Sequence, residues 1–448
     1  DCTLANSKKI TGGEDEAIFQ PEWSPSGMLH FVSDKSGWSN LYRHNGTDVK
    51  ALCPMEADFN RPQWVFGART YDFESADRII CSYTQDGKWF LARLDTTSGA
   101  FETFDLPYCD ITYPRVMNRA AVFVAGAIDQ PTALIKFDLI THKVDVIKAA
   151  SKKKTDTDYL STPQSVEFPT ENGLTAYGIF YPPHNKDYVA PDDERPPLLV
   201  LSHGGPTSAS PMSLRSSIQY WTSRGIAVLD VNYGGSTGYG RAYRERLNDQ
   251  WGVVDVDDCV NGARYLVERG DVDGNRLAIA GGSAGGYTTL CAITFRDTFK
   301  AGASHFGIGE LEVFVKDTHK YESRYCDRLI GPYPQRRDLY LARSPINFLD
   351  RINCPMILFQ GLEDKIVPPN QAQMMFEAVK KKGLPVAYLP FAGEQHGFRQ
   401  AKNIKRALDA ELYFYSRVFN FKLADKIKPV KIENMVEPRK RKKRKLGK

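Results

Sequence analysis

Polar and apolar residues alternate in short runs along the first 150 residues, and turn-forming residues separate the runs. Alternation with a period of two predicts β-strands that bury one face, and this region has no convincing helical period. Three segments share one plan, in which tight turns such as Asn45-Gly46 and Asp86-Gly87 connect successive strands. The predicted strands are Met28–Ser33, Asn40–Arg43, Val49–Cys53, Arg78–Tyr83, Lys88–Asp95, Phe101–Leu106, Ala120–Ala127, Thr132–Leu139 and Lys143–Lys148.

Comparable positions of the three segments recur about every 45–50 residues, which is the length of a four-stranded propeller blade. The first segment opens with Trp23-Ser24-Pro25-Ser26-Gly27, which is similar to propeller repeats. We therefore predict that residues 1–150 form an incomplete β-propeller of about three blades. A β-sandwich, also built from short alternating strands, is the alternative. Because propellers typically have four to eight blades, we expect further blades upstream of this chain.

The pattern changes after a polar segment, residues 151–165, which we interpret as a linker. Within residues 166–422, apolar runs of strand length alternate with stretches of helical spacing, which predicts an α/β domain with a mostly parallel sheet. In such sheets, catalytic residues gather at the carboxyl ends of the strands. The predicted strands are Thr175–Tyr181, Leu198–Ser202, Ala227–Asn232, Leu277–Ala280, Met356–Gln360 and Val386–Pro390. The predicted helices are Val253–Glu268, Tyr287–Phe295, Gln371–Lys382 and Ile404–Phe419.

The composition is that of a globular protein, with 42% hydrophobic and 25% charged residues. No apolar run approaches the ~20 residues that a transmembrane helix needs, so we expect no membrane partner. The eight cysteines are scattered and form no C-x-x-C pair, which favours reduced thiols over a disulfide framework or a metal site. We therefore expect a cytoplasmic protein.

The net charge of +5 depends on the end of the chain, because Arg439 to Lys445 is an unbroken run of seven basic residues. Without this run and Lys448, the remaining chain is slightly acidic. We predict that residues 423–448 form a basic, disordered tail. A nuclear-import signal and a weak contact with nucleic acid are the alternative interpretations of the tail.

The segment Gly281-Gly282-Ser283-Ala284-Gly285 contains the motif G-x-S-x-G. The motif is weak alone, but here an apolar strand precedes it and a helical stretch follows it. A nucleophile elbow needs this strand–turn–helix context, because the sharp turn lifts the serine oxygen clear of the sheet. We predict that Ser283 is a catalytic nucleophile, with a plain glycine-rich turn as the alternative.

A serine hydroxyl needs a base to take its proton, and in this fold class the triad follows the chain order Ser, Asp, His. Asp364 and His396 each follow a predicted strand, in this order, and they are the predicted acid and base. The rival acids Glu363 and Glu394 are interpreted as solvated loop residues. The rival bases His305 and His319 precede Asp364, which breaks the chain order.

A second glycine-rich loop, His203-Gly204-Gly205-Pro206, follows the strand Leu198–Ser202. Glycines let backbone N–H groups approach a substrate carbonyl, so this loop and the N–H of Ala284 are the candidate halves of an oxyanion hole. We expect His203 to order its loop and to take no part in the chemistry.

These motifs together resemble the catalytic domain of the prolyl oligopeptidase family of serine peptidases, in its acylaminoacyl-peptidase and dipeptidyl-peptidase-like branch. The most specific segment is Gly235-Ser236-Thr237-Gly238-Tyr239-Gly240, which ordinary esterases of this fold lack. In that family a β-propeller precedes an α/β-hydrolase domain and restricts entry to short peptides, which would be the substrates here.

The resemblance implies a role for each matching residue. Ser283 would be the nucleophile, His396 the general acid–base and Asp364 its orienting residue. Gly205 and Ala284 would supply the oxyanion N–H groups, and Tyr233 and Tyr287 are candidates for substrate binding. No cofactor and no metal would be needed, and homo-oligomerisation is open.

Two features depart from the family pattern. Many members carry an arginine two residues after the catalytic aspartate, where this chain has Ile366. The paired glutamates with which dipeptidyl peptidases hold a free amino terminus are also not visible. The alternatives to a peptidase are a carboxylesterase with the same triad and a non-enzymatic propeller scaffold.

Overall fold

A computed structural model of the protein describes residues 7–152, 156–320, 322–352 and 354–435. The basic run at residues 439–445, and with it the predicted role of the tail, lies outside the described residues. The described beginning of the tail is not disordered as predicted, because Glu433 pairs with Val386 in an antiparallel bridge and Val430 is buried. The chain divides into two compact units, Asp1–Gly274 and Asn275–Lys448. The division falls inside the region predicted as one α/β domain, so the two units are described separately.

Three four-stranded antiparallel sheets form the first part of the first unit, and in each of them the strands are hydrogen-bonded in chain order. This is the arrangement of propeller blades, and it confirms the predicted blades against the sandwich alternative. The strands are β1 Ile18–Trp23, β2 Leu29–Ser33, β3 Asn40–His44, β4 Val49–Ala51, β5 Tyr71–Phe73, β6 Arg78–Gln85, β7 Lys88–Asp95, β8 Phe101–Thr103, β9 Asp110–Met117, β10 Ala120–Gly126, β11 Ala133–Asp138 and β12 Val144–Ala149.

Apolar cores lie between consecutive sheets. Leu41 of the first sheet packs in one core with Ile79 of the second sheet. Leu91 of the second sheet packs in another core with Ile135 of the third sheet. The alternating pattern therefore has a direct cause, since side chains on the faces of each strand that meet a neighbouring sheet must be apolar.

The first strand of each sheet was not predicted. In β1 and β9, a proline follows a residue with positive φ: Pro21 follows Gln20 (φ 48°), and Pro114 follows Tyr113 (φ 56°). The pairing register shifts at both places, as in a β-bulge. A proline donates no ladder hydrogen bond and is tolerated at a bulge. The bulge interrupts the alternation of polar and apolar residues from which the other strands were predicted.

The described residues in the rest of the first unit form four strands and three helices. Strand β14 pairs with β13 and β16 in the antiparallel sense, whereas β15 and β16 are parallel. The strands are β13 Gln164–Pro169, β14 Thr175–Tyr181, β15 Leu198–Ser202 and β16 Ala227–Asn232. The helices are α1 Ser216–Thr222, α2 Arg241–Glu245 and α3 Val254–Glu268, and short 3₁₀ turns lie at Thr157–Tyr159 and Glu171–Gly173. Strand β13 begins two residues inside the predicted linker.

Where the structure describes the second unit, it has four parallel strands in chain order, connected through helices. The strands are β17 Leu277–Gly282, β18 Ala301–His305, β19 Met356–Gly361 and β20 Val386–Phe391. The helices are α4 Ala284–Phe295, α5 Leu311–Asp317, α6 Tyr325–Leu329, α7 Arg337–Ala342, α8 Asn370–Lys382 and α9 Ala401–Val418, with a 3₁₀ segment at Pro345–Arg351. The α/β prediction is confirmed. In the described part of the chain, no helix is long and apolar enough to cross a membrane.

Strand β18 was not predicted, because all of its residues before His305 are small. A Cβ on Gly302 would lie only 3.0 Å from Cδ1 of Ile293, which belongs to α4. The helix therefore packs so close to the strand that a larger side chain at this position has no room. A strand of small residues lacks the apolar signal of its neighbours although it lies between β17 and β19.

Candidate active site

Ser283 lies at the turn between strand β17 and helix α4, as predicted. Its backbone has φ 56° and ψ −119°, a conformation that costs on the order of 1–3 kcal/mol for a residue with a side chain. The Ser283 N–H donates to the carbonyl oxygen of His305 (2.9 Å), which attaches the turn to strand β18. The serine is therefore held in a strained conformation at the carboxyl end of a parallel strand.

The glycines beside Ser283 are required by close packing. A Cβ on Gly286 would lie 2.7 Å from the Cα of Gly307, so the first turn of α4 can approach this backbone only without a side chain. A Cβ on Gly282 would lie 3.0 Å from the ring of Phe306. Gly282 and Gly286, each of which directly follows a glycine of the motif, thus serve the packing of the elbow.

Ser283, His396 and Asp364 form a continuous series of hydrogen bonds. The distance from His396 Nε2 to Ser283 Oγ is 2.8 Å, and that from His396 Nδ1 to Asp364 Oδ2 is also 2.8 Å. Because an ionised carboxylate only accepts hydrogen bonds, the imidazole proton lies on Nδ1 and the Nε2 lone pair faces the serine hydroxyl. The structure thus brings together the three residues that the sequence indicated.

The carboxylate of Asp364 is fully buried and held from both sides. Its Oδ1 accepts the N–H groups of Ile366 (2.9 Å) and Val367 (3.0 Å). The side-chain amide of Gln360 donates to Oδ2 at 3.3 Å and to the Val367 carbonyl at 3.1 Å. Sequence reasoning missed Gln360, although a polar residue at the end of the apolar strand Met356–Gly361 was an available signal.

The rival acids are engaged elsewhere. Glu363 is exposed, as expected, but the expectation that Glu394 is solvated was wrong, because this residue is buried. Glu394 Oε2 accepts the Arg399 N–H (2.9 Å), and Oε1 accepts the Gln400 N–H (2.9 Å) and the amide of Asn403 (2.8 Å). Arg399 and Gln400 directly precede helix α9, so this carboxylate satisfies N–H groups of the segment that leads into the helix. Glu394 therefore shapes the loop of His396.

The rival base His305 also has a different partner. Its Nε2 lies 3.0 Å from Glu411 Oε2 of helix α9, and the ring stacks on Phe359 at 4.5 Å between centroids. The next residue, Phe306, places its ring edge-on to the imidazole of His396 at 4.9 Å. The segment of His305 thus contacts both the elbow and the imidazole of His396.

In the first unit, the loop after β15 carries Gly205, whose φ is +63°. His203 orders this loop through the distance of 2.8 Å from its Nε2 to Ser236 Oγ and through a stack on Tyr233 with centroids 4.3 Å apart. Burial lowers the pKa of His203 to about 4, so its ring is neutral at pH 7. Ser236 belongs to the family-specific glycine-rich segment, which thereby supports the loop of Gly205.

The two tyrosines predicted to bind substrate are fully buried, and here the structure differs from the prediction. The Tyr233 hydroxyl lies 3.3 Å from both Nδ1 and the carbonyl oxygen of His203. The Tyr287 hydroxyl donates to the carbonyl oxygen of Arg343 at 2.9 Å. Both hydroxyls are used within the fold, because a phenol that is buried must find a hydrogen-bond partner there.

The blades contact the glycine-rich segment directly. The buried carboxylate of Asp58 accepts the N–H groups of Gly238 (3.1 Å) and Gly240 (3.0 Å). A Cβ on Gly240 would lie 3.3 Å from the ring of Trp38, and one on Gly238 would lie 3.1 Å from Thr84. Gly238 and Gly240 are thus explained by the close approach of propeller residues. Among the described residues, no cluster of His, Cys, Asp or Glu could hold a metal ion.

Comparisons with known proteins agree with this geometry. Residues 212–422 match the sequence model of the prolyl oligopeptidase family. The chain is 30% identical over 263 residues to dipeptidyl aminopeptidase BIII of Pseudoxanthomonas mexicana, which covers 57% of this chain and 36% of that protein. It is also 30% identical over 211 residues to the acylamino-acid-releasing enzyme of Arabidopsis thaliana, covering 45% of this chain and 27% of that protein.

A solved structure is similar over nearly the whole chain. A puromycin-hydrolyzing peptidase of Mycobacterium tuberculosis superposes with a TM-score of 0.92 at 40% sequence identity, covering 95% of this chain and 65% of that one. The chain thus spans less than two thirds of the length of each of these three relatives.

The fold and the serine at its elbow define an α/β-hydrolase that follows propeller blades. Residues 212–422, which match the family model, belong to the prolyl oligopeptidase family, and the relatives that extend beyond this region are peptidases by name.

Proposed function

We propose that this chain is the catalytic part of a serine peptidase that hydrolyses short peptides through an acyl-enzyme on Ser283. The observation that carries the proposal is the unbroken hydrogen-bonded series from Asp364 through His396 to Ser283, with 2.8 Å at each step. The strained backbone of Ser283 supports it as well, since a fold retains such strain mainly at functional sites.

In the proposed reaction, Ser283 Oγ attacks the carbonyl carbon of the peptide bond while His396 Nε2 accepts the hydroxyl proton. The imidazolium then gives this proton to the leaving amine, which departs and leaves an ester on Ser283. A water molecule, deprotonated by His396, hydrolyses the ester and restores the serine. Asp364 remains charged throughout, and it orients the imidazole and stabilises the imidazolium.

The negative charge that develops on the carbonyl oxygen needs hydrogen-bond donors. We assign the first to the N–H of Ala284, the first residue of helix α4, because initial N–H groups of a helix have no partner within it. We assign the second to the N–H of Gly205 in the loop after β15. Each donor of this kind contributes roughly 10²–10³ in rate. Tyr233 and Tyr287 would act as positioning residues, since their hydroxyls are bonded within the fold.

The substrate class follows from the relatives only as far as short peptides. An acylaminoacyl-peptidase and a dipeptidyl-peptidase are the two proposed activities, and Ile366 offers no charge for a substrate carbonyl where many relatives have arginine.

The reaction needs no cofactor. The described cysteines are free, which supports the proposal of a reducing, cytoplasmic setting. The boundaries of the propeller (1–150), the peptidase domain (166–422) and the tail (423–448) belong to the same proposal.

The experiment compares chromophore release from an N-acetylated amino-acid anilide and from a free-amine dipeptide anilide, with Ser283→Ala as the blank. Preference for the acetylated substrate would identify an acylaminoacyl-peptidase, and preference for the free amine would identify a dipeptidyl-peptidase. Hydrolysis of an acetylated ester without cleavage of either anilide would contradict the peptidase proposal in favour of a carboxylesterase. Equal release by the folded Ser283→Ala variant would contradict the role of Ser283.

A further inference from the structure

A propeller segment, residues 61–66, runs beside the loop of Gly205 within the first unit. Trp64 packs so closely on Gly205 that a Cβ there would overlap the indole ring. Arg61 of the same segment lies at a cavity that is also lined by Ser208, three residues after Gly205. The blades thus supply side chains next to the glycine to which we assign an oxyanion donor.

The apolar side chains of this segment are not covered by the chain. The exposed fraction is 41% for Trp64, 59% for Val65 and 101% for Phe66, which makes three consecutive apolar residues open to solvent. By contrast, Trp89 at the neighbouring cavity is buried. A contiguous exposed apolar patch is unfavourable in water and commonly marks a binding surface.

The position of the patch indicates what binds there. If Gly205 holds the carbonyl oxygen of the cleaved bond, the residue that supplies this carbonyl has its Cα directly bonded to the carbonyl carbon. The Cα that carries its side chain is then two covalent bonds from the oxygen atom held by the oxyanion loop, which Trp64 contacts. An apolar or aromatic side chain at this position would pack against the indole ring and so be removed from contact with water.

We propose that Trp64, with Val65 and Phe66, forms an apolar wall that selects peptides with an apolar or aromatic residue at the carbonyl side of the cleaved bond. This inference rests on the proposed function, because it takes Gly205 as an oxyanion donor. According to this inference, the propeller contacts the substrate residue next to the cleaved bond and helps to select it. Trp64 is thus a specificity-determining residue supplied by a blade.

The test measures kcat/KM for two anilides that differ only in this residue, phenylalanine or alanine, with the same group at the amino end. In Trp64→Ala, the preference for phenylalanine should fall by about tenfold or more, because much of the apolar contact is lost. Trp64→Phe should retain most of the preference. Phe66→Ala, which changes a fully exposed side chain and so leaves the fold intact, should reduce the preference by a few-fold.

Trp23→Ala is the matched control, since Trp23 is a 68% exposed tryptophan of the first blade and should leave the preference unchanged. An unchanged preference in both Trp64→Ala and Phe66→Ala would overturn the proposal.

A second readout separates this proposal from the proposed function. Peptides that carry phenylalanine or alanine at the same position are titrated against Ser283→Ala with and without Trp64→Ala, and the dissociation constants are compared. Loss of the phenylalanine preference on removal of Trp64 supports the wall even if the parent protein cleaves neither anilide. Equal affinities of both peptides for Ser283→Ala would overturn the wall, whereas labelling of Ser283 by a fluorophosphonate in the parent would show that the nucleophile is intact.

Discussion

Two glycine-rich loops carry the proposed nucleophile and the proposed oxyanion donors. Both loops follow parallel strands, and the key residue of each has a positive φ. In the loop after β17, the strained position is Ser283 (φ 56°), which is not a glycine. In the loop after β15, the corresponding position is Gly205 (φ +63°), which avoids this strain. The first loop therefore accepts an energetic cost that the second avoids.

The difference follows from what each position must present. Ser283 must present its side chain, so no glycine can replace it, and hydrogen bonds to the flanking structure hold the strained turn. Gly205 needs to present only its backbone, and the indole of Trp64 occupies the space where a side chain would begin. A positive φ at a residue other than glycine is therefore the stronger sign of side-chain chemistry.

The largest effect is expected from substitutions of Ser283. Ser283→Ala and Ser283→Gly should both abolish turnover, with losses of at least about 10⁴, because neither has a nucleophile. Ser283→Gly should in addition be more stable than Ser283→Ala by about 1 kcal/mol, since glycine adopts this conformation without strain. Urea unfolding of the two variants measures this difference. Equal stability would contradict the interpretation that the elbow is strained.

Asp364→Asn should reduce kcat by about 10⁴, as in the serine-protease triad, because the imidazole would lose its anionic partner and its proton would no longer be held on Nδ1. The matched control is Glu363→Gln, which changes the adjacent exposed carboxylate and should leave kcat within about twofold. Steady-state kinetics on the favoured anilide measures both. A loss below tenfold in Asp364→Asn would exclude this residue as the acid.

Gly205→Ala should lower kcat by about 10²–10³, because the new Cβ overlaps Trp64 and displaces the backbone N–H. Gly173→Ala is the control for the backbone conformation alone, since Gly173 has φ +70° and open space around its Cβ position. It should cost about 1 kcal/mol of stability and leave kcat unchanged. Full activity of Gly205→Ala would show that the second loop does not contribute as proposed.

The smallest effect concerns the pH dependence of stability. The pKa of His203 is about 4 in the fold against 6.5 for a free histidine, so between these values the unfolded chain binds a proton that the folded chain does not. Stability from this group is therefore lost as the pH falls, by about 2 kcal/mol between pH 7 and pH 5. Urea unfolding at the two pH values measures it. In His203→Gln, the free energy of unfolding should depend less steeply on pH than in the parent protein. An equal pH dependence in both would contradict the buried neutral imidazole.

Much of the α/β half was predictable because its apolar strands are continuous and the three residues of the proposed triad lie in loops that follow them. Strands β14 to β16 have the predicted bounds, and Ser283, His396 and Asp364 lie at hydrogen-bond distances. Strand β18 was missed because helix packing requires small residues there. The burial of Glu394 was missed because its main-chain partners, the N–H groups of Arg399 and Gln400, lie several residues later in the chain, just before helix α9.

The contribution of the propeller was less predictable. The sequence shows Trp64, Val65 and Phe66 as an apolar run that resembles any buried strand. Its proximity to Gly205 depends on how distant parts of the chain fold together, which no local pattern encodes. The same holds for Asp58, whose carboxylate meets the glycine-rich segment about 180 residues later in the chain.

The most direct test of the account is fluorophosphonate labelling of the folded protein, followed by peptide mapping with mass spectrometry. The reagent forms a covalent bond only with a serine whose hydroxyl is activated by a neighbouring base. We predict a single adduct on the peptide that contains Ser283, and its formation should slow strongly in Asp364→Asn. An adduct on another serine, or no adduct in a folded protein, would contradict the assignment of Ser283 as the nucleophile.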